Sequence, residues 1–247
     1  MELTSAADDL FVNVDLHTVV DLPAARETVL GFFEVVQKEF PAMASFYYRD
    51  SGEFVLEGDR DSGSYPWLEI HKNRLSLGCF NPTDVEEACR QHRWIMERAR
   101  YYLGLSGLDL ECLDVVFGFN LDFRGNRDAI IAQALLDGSP LSALTSEPGV
   151  RPLECEPSLV VALDESCSLQ ARVSVETRSS SYQVRTGQYE NEPITIYLTV
   201  RRYPGSQGTV CAEDSLVQQC QECEDLARRV VIPQVIQPIA AAIAAAR

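Results

Sequence analysis

The sequence predicts an α+β protein in which a β-α-β-β-β-α unit occurs twice in tandem. The two copies are expected to be related by a pseudo-twofold axis and to form one curved antiparallel sheet backed by helices, a saddle-like topology. One reason is a recurring strand pattern: residues 12–16 (VNVDL) are echoed by residues 119–123 (FNLDF), with Asn and Asp at the same places. A second reason is that strand-like and helical periodicities follow in a similar order after each copy. The chain of 247 residues, 46% of them hydrophobic, is also sufficient for a large core.

The first half of the chain, residues 1–106, begins with a strand. Residues 10–20 alternate apolar and polar side chains, which is typical of a strand with one buried face. Apolar side chains at helical spacing follow in residues 24–40. Residues 44–80 fit two hairpins with polar turns, and a second helix then runs on to Gly104.

The second half, residues 107–232, repeats this order. Residues 113–123 alternate as a strand, and residues 127–136 have the spacing of a helix. Residues 137–157 are rich in Pro, Gly, Ser and Thr, so we expect a surface loop there. The remaining predicted elements are strands at residues 158–163, 168–177 and 193–202 and a long helix that begins near Asp214.

The last segment, residues 233–247, is rich in Ala and Ile. Pro233 lacks a backbone N–H and its ring clashes with the preceding helical turn, so we expect it to kink or stop the helix before it. The segment is then a short helix with an apolar stripe. That stripe packs on the body of the protein or on a twin subunit, or docks in the groove of a partner.

The order of elements resembles the tandem saddle of TATA-binding-protein-like folds. The resemblance covers most of the chain and implies that the first strands of the two halves pair about the pseudo-twofold axis, leaving one face of the sheet open. Near the centre of that face we expect Asn13, Asp15 and His17 to meet Asn120, Asp122 and Arg124. Flanking strands are expected to add His71, Arg172 and Tyr197.

Charge limits the partners that such a face can bind. The expected open face mixes both signs of charge with hydroxyl and aromatic side chains, which favours a protein or peptide partner. A simple solvated face is the alternative, since antiparallel sheets routinely have one. The chain carries 37 acidic against 21 basic residues, a net charge of -16, so a nucleic-acid partner is not expected.

Motifs that would indicate catalysis are missing from the sequence. It contains no nucleotide-binding, zincin or serine-hydrolase signature. Cys220 and Cys223 form a C-x-x-C inside a predicted helix without a second pair of ligands, so we interpret them as core residues, and His92 likewise. His17 and His71 lie among carboxylates on the expected open face, which leaves a metal or acid–base cluster as a minor alternative. We assign no catalytic residue, no metal ligand and no cofactor.

The sequence therefore favours a non-catalytic binding or assembly module. We expect it to bind a protein partner, or a second copy of itself, through the open face or the C-terminal helix. The rival interpretation is an enzyme or small-ligand-binding protein with a site in a cleft between sheet and helices. We expect a cytoplasmic location and no membrane span, because the sequence lacks a signal-like start and a run of about 18 apolar residues.

Overall fold

Nine strands form one antiparallel sheet in the computed structural model, which describes residues 3–204 and 211–246. Their order across the sheet is β2-β3-β4-β5-β1-β6-β9-β8-β7. The strands are β1 Asp9–Thr18, β2 Ser45–Tyr48, β3 Phe54–Glu57, β4 Tyr65–Ile70, β5 Arg74–Phe80, β6 Leu110–Leu121, β7 Ser158–Ala162, β8 Leu169–Glu176 and β9 Ile194–Arg202.

Helices cover one side of this sheet. They are α1 Arg26–Glu39, α2 Val85–Tyr102, α3 Arg127–Leu136, α4 Ser142–Thr145, α5 Ser181–Thr186, α6 Ala212–Leu226, a π-helical segment Ala227–Ile236, and α7 Gln237–Ala246. Helix α2 contacts β1 and β5, α6 contacts β6 and β9, and α1 packs on α2. The expected mixed fold, with one large antiparallel sheet backed by helices, is confirmed.

The central strand β1 shows how the sequence divides the two faces. Its side chains alternate strictly between buried and partly exposed along all ten residues. The buried set packs under the helices and consists of Leu10, Val12, Val14 and Leu16, which belong to the main hydrophobic core, and of Thr18. The partly exposed set faces away from the helices and consists of Asp9, Phe11, Asn13, Asp15 and His17. A period of two therefore places Asp9, Asn13, Asp15 and His17 on the uncovered side, and Thr18 at the end of the strand is the one polar residue of β1 on the buried side.

Strands β1 and β6 lie side by side at the centre of the sheet, but their register corrects one expectation. Asp15 lies opposite Asp114, and Asn120 lies opposite Asp9. The expected meeting of Asn13, Asp15 and His17 with Asn120, Asp122 and Arg124 is therefore wrong. Antiparallel pairing brings the start of one strand beside the end of the other, so positions equally far along both strands move apart.

The C-terminal part of the chain is one continuous helical stretch from Ala212 to Ala246. Pro233, which was expected to kink or stop the helix, does not stop it. Pro233 lies inside the π-helical segment, whose wider turn accommodates a residue without an N–H donor. Helix α7 then packs on α3, with Ile239 and Ile243 buried. Within residues 233–246, Ile239 and Ile243 of the apolar stripe are thus covered by the protein itself.

This helical stretch is long and apolar enough to cross a membrane when judged by length and composition alone. Such a match is a weak indication, because the core helix of a globular protein passes the same test. Several of its side chains, among them Leu216, Cys223 and Ile236, belong to the main hydrophobic core. The absence of a membrane span stays a prediction.

The region between α3 and β9 contains structure that the sequence pattern does not indicate. The predicted loop 137–157 includes the short helix α4, and α5 lies between β8 and β9. Helix α5 is held over the fully buried guanidinium of Arg127, which donates to the backbone oxygen of Glu192 at 2.5 Å and to Gln183 Oε1 at 3.3 Å. A buried polar anchor of this kind leaves no periodic signal in the sequence.

Candidate binding face

The side of the sheet away from the helices, here called the open face, carries the partly exposed side chains of β1 and the residues that pair with them on neighbouring strands. An aromatic band crosses this face over β4, β5, β1 and β9. It consists of Tyr65, Trp67, Phe80, Phe11 and Tyr197. The rings of Tyr65 and Phe80 stack with centroids 5.5 Å apart, and Phe11 meets Tyr197 edge to face at 5.8 Å. All five side chains are partly exposed.

Two glycines allow the band to lie flat against the sheet. A Cβ atom on Gly118 of β6 would lie 1.9 Å from the ring of Phe11, and one on Gly78 of β5 would lie 2.1 Å from the ring of Trp67. No side chain at either position is compatible with these ring positions. Each glycine faces a large ring on the neighbouring strand, so the rings cover backbone as well as side chains.

Polar groups border the band on the side where β6 ends. Thr195 Oγ1 donates to Asn120 Oδ1 at 2.8 Å and accepts from Arg178 at 2.7 Å. Arg178 also donates to the hydroxyl oxygen of Tyr197 at 2.8 Å and pairs with Glu176 at 3.4 Å. These hydrogen bonds hold Tyr197, the last ring of the aromatic band, in place beside Arg178 and Thr195.

An ion-pair network borders the band on the other side, within the first half of the chain. Arg49 donates to Glu69 at 2.5 Å, and His71 Nε2 lies 3.1 Å from Glu69 and 3.2 Å from Arg74. Burial by itself raises the pKa of Glu69, but the hydrogen bonds from His71 and Arg49 outweigh it and hold that pKa below its ordinary value. The charges on this part of the open face are therefore paired internally.

The network continues to the centre of the sheet, where two carboxylates lie opposite each other. Ser76 Oγ donates to Asp15 at 2.5 Å, and Arg74 Nε lies 3.7 Å from the same carboxylate. Arg201 donates to both oxygens of Asp114, at 2.6 and 2.5 Å. Two like charges across a strand pair are unfavourable on their own, so each carboxylate has its own arginine.

Besides Asp15 and Arg201, Asp114 has a histidine and a cysteine as neighbours. His17 Nε2 lies 3.6 Å from Asp114 Oδ2, and His17 is directly opposite Cys112 in the strand pair. Burial raises the pKa of Asp114, but the bonds from Arg201 and His17 prevail and keep that pKa below its usual value. Burial, with the nearby Asp114 charge, raises the pKa of Cys112 to about 11. The thiol is therefore protonated at neutral pH, beside an ionised carboxylate.

The nine residues assigned to the open face from sequence fall into two groups. Six lie on the face as expected: Asn13, Asp15, His17, His71, Arg172 and Tyr197. Asn120 shares the face but lies at its far edge, while Asp122 and Arg124 follow the end of β6. The second-half residues that lie beside Asp15 and His17 are instead Cys112, Asp114 and Arg201. Their position depends on the strand register, which the sequence pattern alone does not predict.

The expected core residues are confirmed. His92 is 1% exposed, and Cys220 and Cys223 are buried in the main hydrophobic core. Burial lowers the pKa of His92 to about 4, and it raises the pKa of the Cys223 thiol. A hydrogen bond with Cys89, together with burial, raises the pKa of Cys220. These thiols have the protonated, inert character of structural cysteines.

A cavity of about 160 Å³ lies between the sheet and the helices. Leu16, Met96 and Leu110 supply apolar walls, while Arg100 and the buried Glu213 supply charge. Small-molecule pockets usually enclose about 300–1,000 Å³. This cavity is closer to one that holds a single aromatic ring, about 150 Å³.

Comparisons with known proteins do not assign a family. No protein-family model and no curated protein matches the chain. Among solved structures, the di-domain ARO/CYC BexL from the BE-7585A biosynthetic pathway aligns over 95% of this chain and 98% of its own, with 9% sequence identity and a TM-score of 0.24. At that TM-score neither the fold nor the activity of that protein can be transferred to this chain.

Proposed function

We propose that the protein is a non-catalytic binding module that docks a protein partner on its open face. The observation that carries the proposal is the aromatic band, which crosses the uncovered side of the sheet with polar groups on both sides. Aromatic residues are enriched at the centres of protein interfaces, and polar residues form the rims. The arrangement favours a partner that presents an apolar patch surrounded by hydrogen-bonding groups.

The charges of the open face support a protein partner over a polyanion. The arginines nearest the centre, Arg74 and Arg201, are engaged with Asp15 and Asp114. They are therefore occupied rather than free to neutralise phosphates, and the net charge of -16 adds a long-range repulsion. A face of internally paired charges around an aromatic centre suits a partner of little net charge.

The C-terminal helix is a weaker candidate for the same role. Its apolar stripe includes Ile239 and Ile243, and both are buried where α7 packs on α3. A partner that used this stripe would have to displace α7 from its own protein. The aromatic band requires no such displacement.

A tandem repeat of the two halves, residues 1–106 and 107–232, forms part of the proposal. In each half a strand is followed by a helix, further antiparallel strands and another helix, and the first strands pair with each other. Two fragments cut between residues 106 and 107 and produced together should then associate as a one-to-one complex with the circular dichroism of the intact chain. Fragments that neither associate nor show the circular dichroism of a folded protein would contradict the division into two half-units.

Affinity capture followed by reconstitution tests the docking function. Tyr197→Ser and Tyr65→Ser remove rings from the aromatic band, whereas Tyr101→Ser removes an aromatic side chain that is 78% exposed on helix α2. A partner that is captured by the intact protein should be produced in pure form, and its Kd measured for each variant. We expect the band variants to weaken binding at least tenfold, or about 1.4 kcal/mol, and Tyr101→Ser to leave it unchanged. Equal binding by all variants would reject the open face.

The cavity between sheet and helices supports a second candidate function, the binding of a small ligand. Its volume admits a molecule of about one ring, with Arg100 and Glu213 as polar contacts. Native mass spectrometry of the purified protein would show a retained ligand as a discrete added mass. Met96→Trp fills the cavity and should abolish that mass; a ligand that persists in this variant is bound elsewhere.

A further inference from the structure

Three side chains with metal-binding atoms meet at the centre of the open face. His17 lies opposite Cys112 in the pairing of β1 with β6, and Asp114 follows two residues later on the same face. A ring nitrogen, the thiol sulfur and a carboxylate oxygen all lie within 4.8 Å of one another. The donors come from two strands at the middle of the sheet, which is a rigid support for a site.

We propose that His17, Cys112 and Asp114 bind a divalent transition-metal ion of the zinc class. Imidazole nitrogen, thiolate sulfur and carboxylate oxygen are the donors that Zn²⁺ takes in proteins. Hard ions such as Mg²⁺ and Ca²⁺ prefer sites made only of oxygen, so the thiol discriminates against them. The site goes beyond the proposed docking function and does not depend on it.

The spacing of the donors fits a shared tetrahedral ion. Ligands about 2.0–2.1 Å from a tetrahedral ion are about 3.4 Å from each other. His17 Nε2 and Asp114 Oδ2 are 3.6 Å apart, so both can reach one ion with small side-chain movements. Three protein ligands leave the fourth position for water or for a donor from a partner. Solvent reaches the cluster at His17, whose side chain is 25% exposed, whereas that of Asp114 is 7% exposed.

Arg201 can stay hydrogen-bonded to Asp114 while Asp114 binds the metal ion. It donates to both oxygens of Asp114, yet a carboxylate has about four lone-pair positions and can accept from Arg201 and bind an ion together. Hydrogen bonds from the surroundings commonly orient metal-binding carboxylates. Asp15, directly opposite Asp114, adds a second negative charge that compensates part of the ion's charge.

Binding has a defined proton balance. A free cysteine thiol carries its proton below an ordinary pKa of about 8.5. Only the thiolate binds the ion, so the S–H bond breaks, the sulfur keeps the electron pair and one proton passes to solvent. The affinity should therefore rise with pH, and the binding heat should depend on the ionisation enthalpy of the buffer.

Titration of the metal-stripped full-length protein with Co²⁺ and Zn²⁺ tests this site. Co²⁺ should produce a thiolate-to-cobalt charge-transfer band in the near ultraviolet that saturates at one ion per chain, and Zn²⁺ should displace it. Cys112→Ala and Cys112→Ser should abolish the band, and His17→Gln should weaken binding at least about tenfold. His71→Gln and Cys89→Ala are matched controls, because His71 belongs to the neighbouring ion-pair network and Cys89 contacts Cys220 in the helical layer.

The same titration can overturn the proposal without any variant. If the folded intact protein gives no charge-transfer band at saturating Co²⁺, the three residues do not bind a metal through the thiol. A band that persists in Cys112→Ala, or that is lost in Cys89→Ala, would place the ion elsewhere. The docking function is measured with a protein partner, so its failure is separate from the failure of this site.

Discussion

Asp15 and Asp114 face each other across the central strand pair, each bound to its own arginine. Arg74, the partner of Asp15, also contacts His71 in the ion-pair network of the first half, and Asp114 also contacts His17. Arg74 on β5 and Arg201 on β9, the outer neighbours of β1 and β6, supply positive charge that offsets the repulsion between the two facing carboxylates. The centre of the open face is therefore fixed by paired charges.

Replacement of Arg201 should lower the stability of the protein. Arg201→Gln leaves the buried Asp114 without its two strongest hydrogen bonds, so we expect the free energy of unfolding to fall by about 1–3 kcal/mol. Arg90→Gln, which breaks an exposed pair on helix α2, should cost less than about 0.5 kcal/mol. Urea denaturation at pH 7 measures both. Equal effects would mean that the Asp114 pair behaves as a surface pair.

Acid should act on the intact protein through the same carboxylate. The pKa of Asp114 in the folded protein lies below its ordinary value of 3.8, so its stabilising contribution is complete above that value and is lost as the pH falls through the folded pKa. In Arg201→Gln the loss should begin at a higher pH. Unfolding midpoints recorded from pH 5 to pH 2 would show the shift, and superimposable curves for the two proteins would contradict it.

His92 should control stability in a higher pH range. Burial lowers its pKa from the ordinary 6.5 to about 4, so between these values the unfolded chain binds a proton that the folded protein does not. Stability should therefore fall as the pH decreases from 6.5 towards 4, by about 3 kcal/mol in total. His92→Leu should be less sensitive to pH in this window. Denaturation at steps of pH compares the two slopes, and identical slopes would show that His92 is accessible to protons.

Glycine substitutions test the packing of the aromatic band. Gly118→Ala places a Cβ 1.9 Å from the ring of Phe11, so the ring must move and we expect a loss of about 1–3 kcal/mol. Gly31→Ala in helix α1 meets nothing within 4 Å and should stabilise the protein by about 0.5–1 kcal/mol. The same chemical change thus has opposite signs at the two sites. Thermal unfolding of both variants measures these changes. A Gly118→Ala variant as stable as the unchanged protein would show that the ring of Phe11 is not fixed in this position.

Arg127 should hold the segment between β8 and β9. Its buried guanidinium donates to the backbone oxygens of Glu190 and Glu192 and to Gln183 Oε1. Arg127→Met leaves the buried Gln183 side chain without this donor and removes the bonds to the two backbone oxygens, so we expect the free energy of unfolding to fall by about 1–3 kcal/mol. Hydrogen exchange should rise first in residues 178–192. Uniformly unchanged exchange there would show that α5 is held by other contacts.

The sequence predicts strand and helix types where apolar spacing is regular. The alternation in β1 correctly separates Val12 and Val14 from Asn13 and Asp15. It predicts the register poorly, because an antiparallel pair can slide without a change in which residues are apolar. Cys112 shows the consequence, because its position opposite His17 depends on that register.

Two further differences have local causes. A proline normally ends a helix, but here Pro233 lies inside a π-helical segment and the helix continues. Beyond that segment α7 packs on α3, a tertiary contact that the local sequence does not indicate. Arg127 is charged and lies at the start of α3, yet it is fully buried beside carbonyl groups distant in the chain. Such contacts follow from tertiary structure and leave no periodic pattern.

Site-specific photo-crosslinking in the cells that naturally make the protein tests the docking function most directly. A photoreactive phenylalanine at Tyr197 or Tyr65 samples the aromatic band, and the same group at Tyr101 samples the helical layer. We expect a discrete covalent adduct with one protein from the two open-face positions and none from Tyr101. Adducts only from Tyr101, or none from the open face, would contradict docking on the aromatic band.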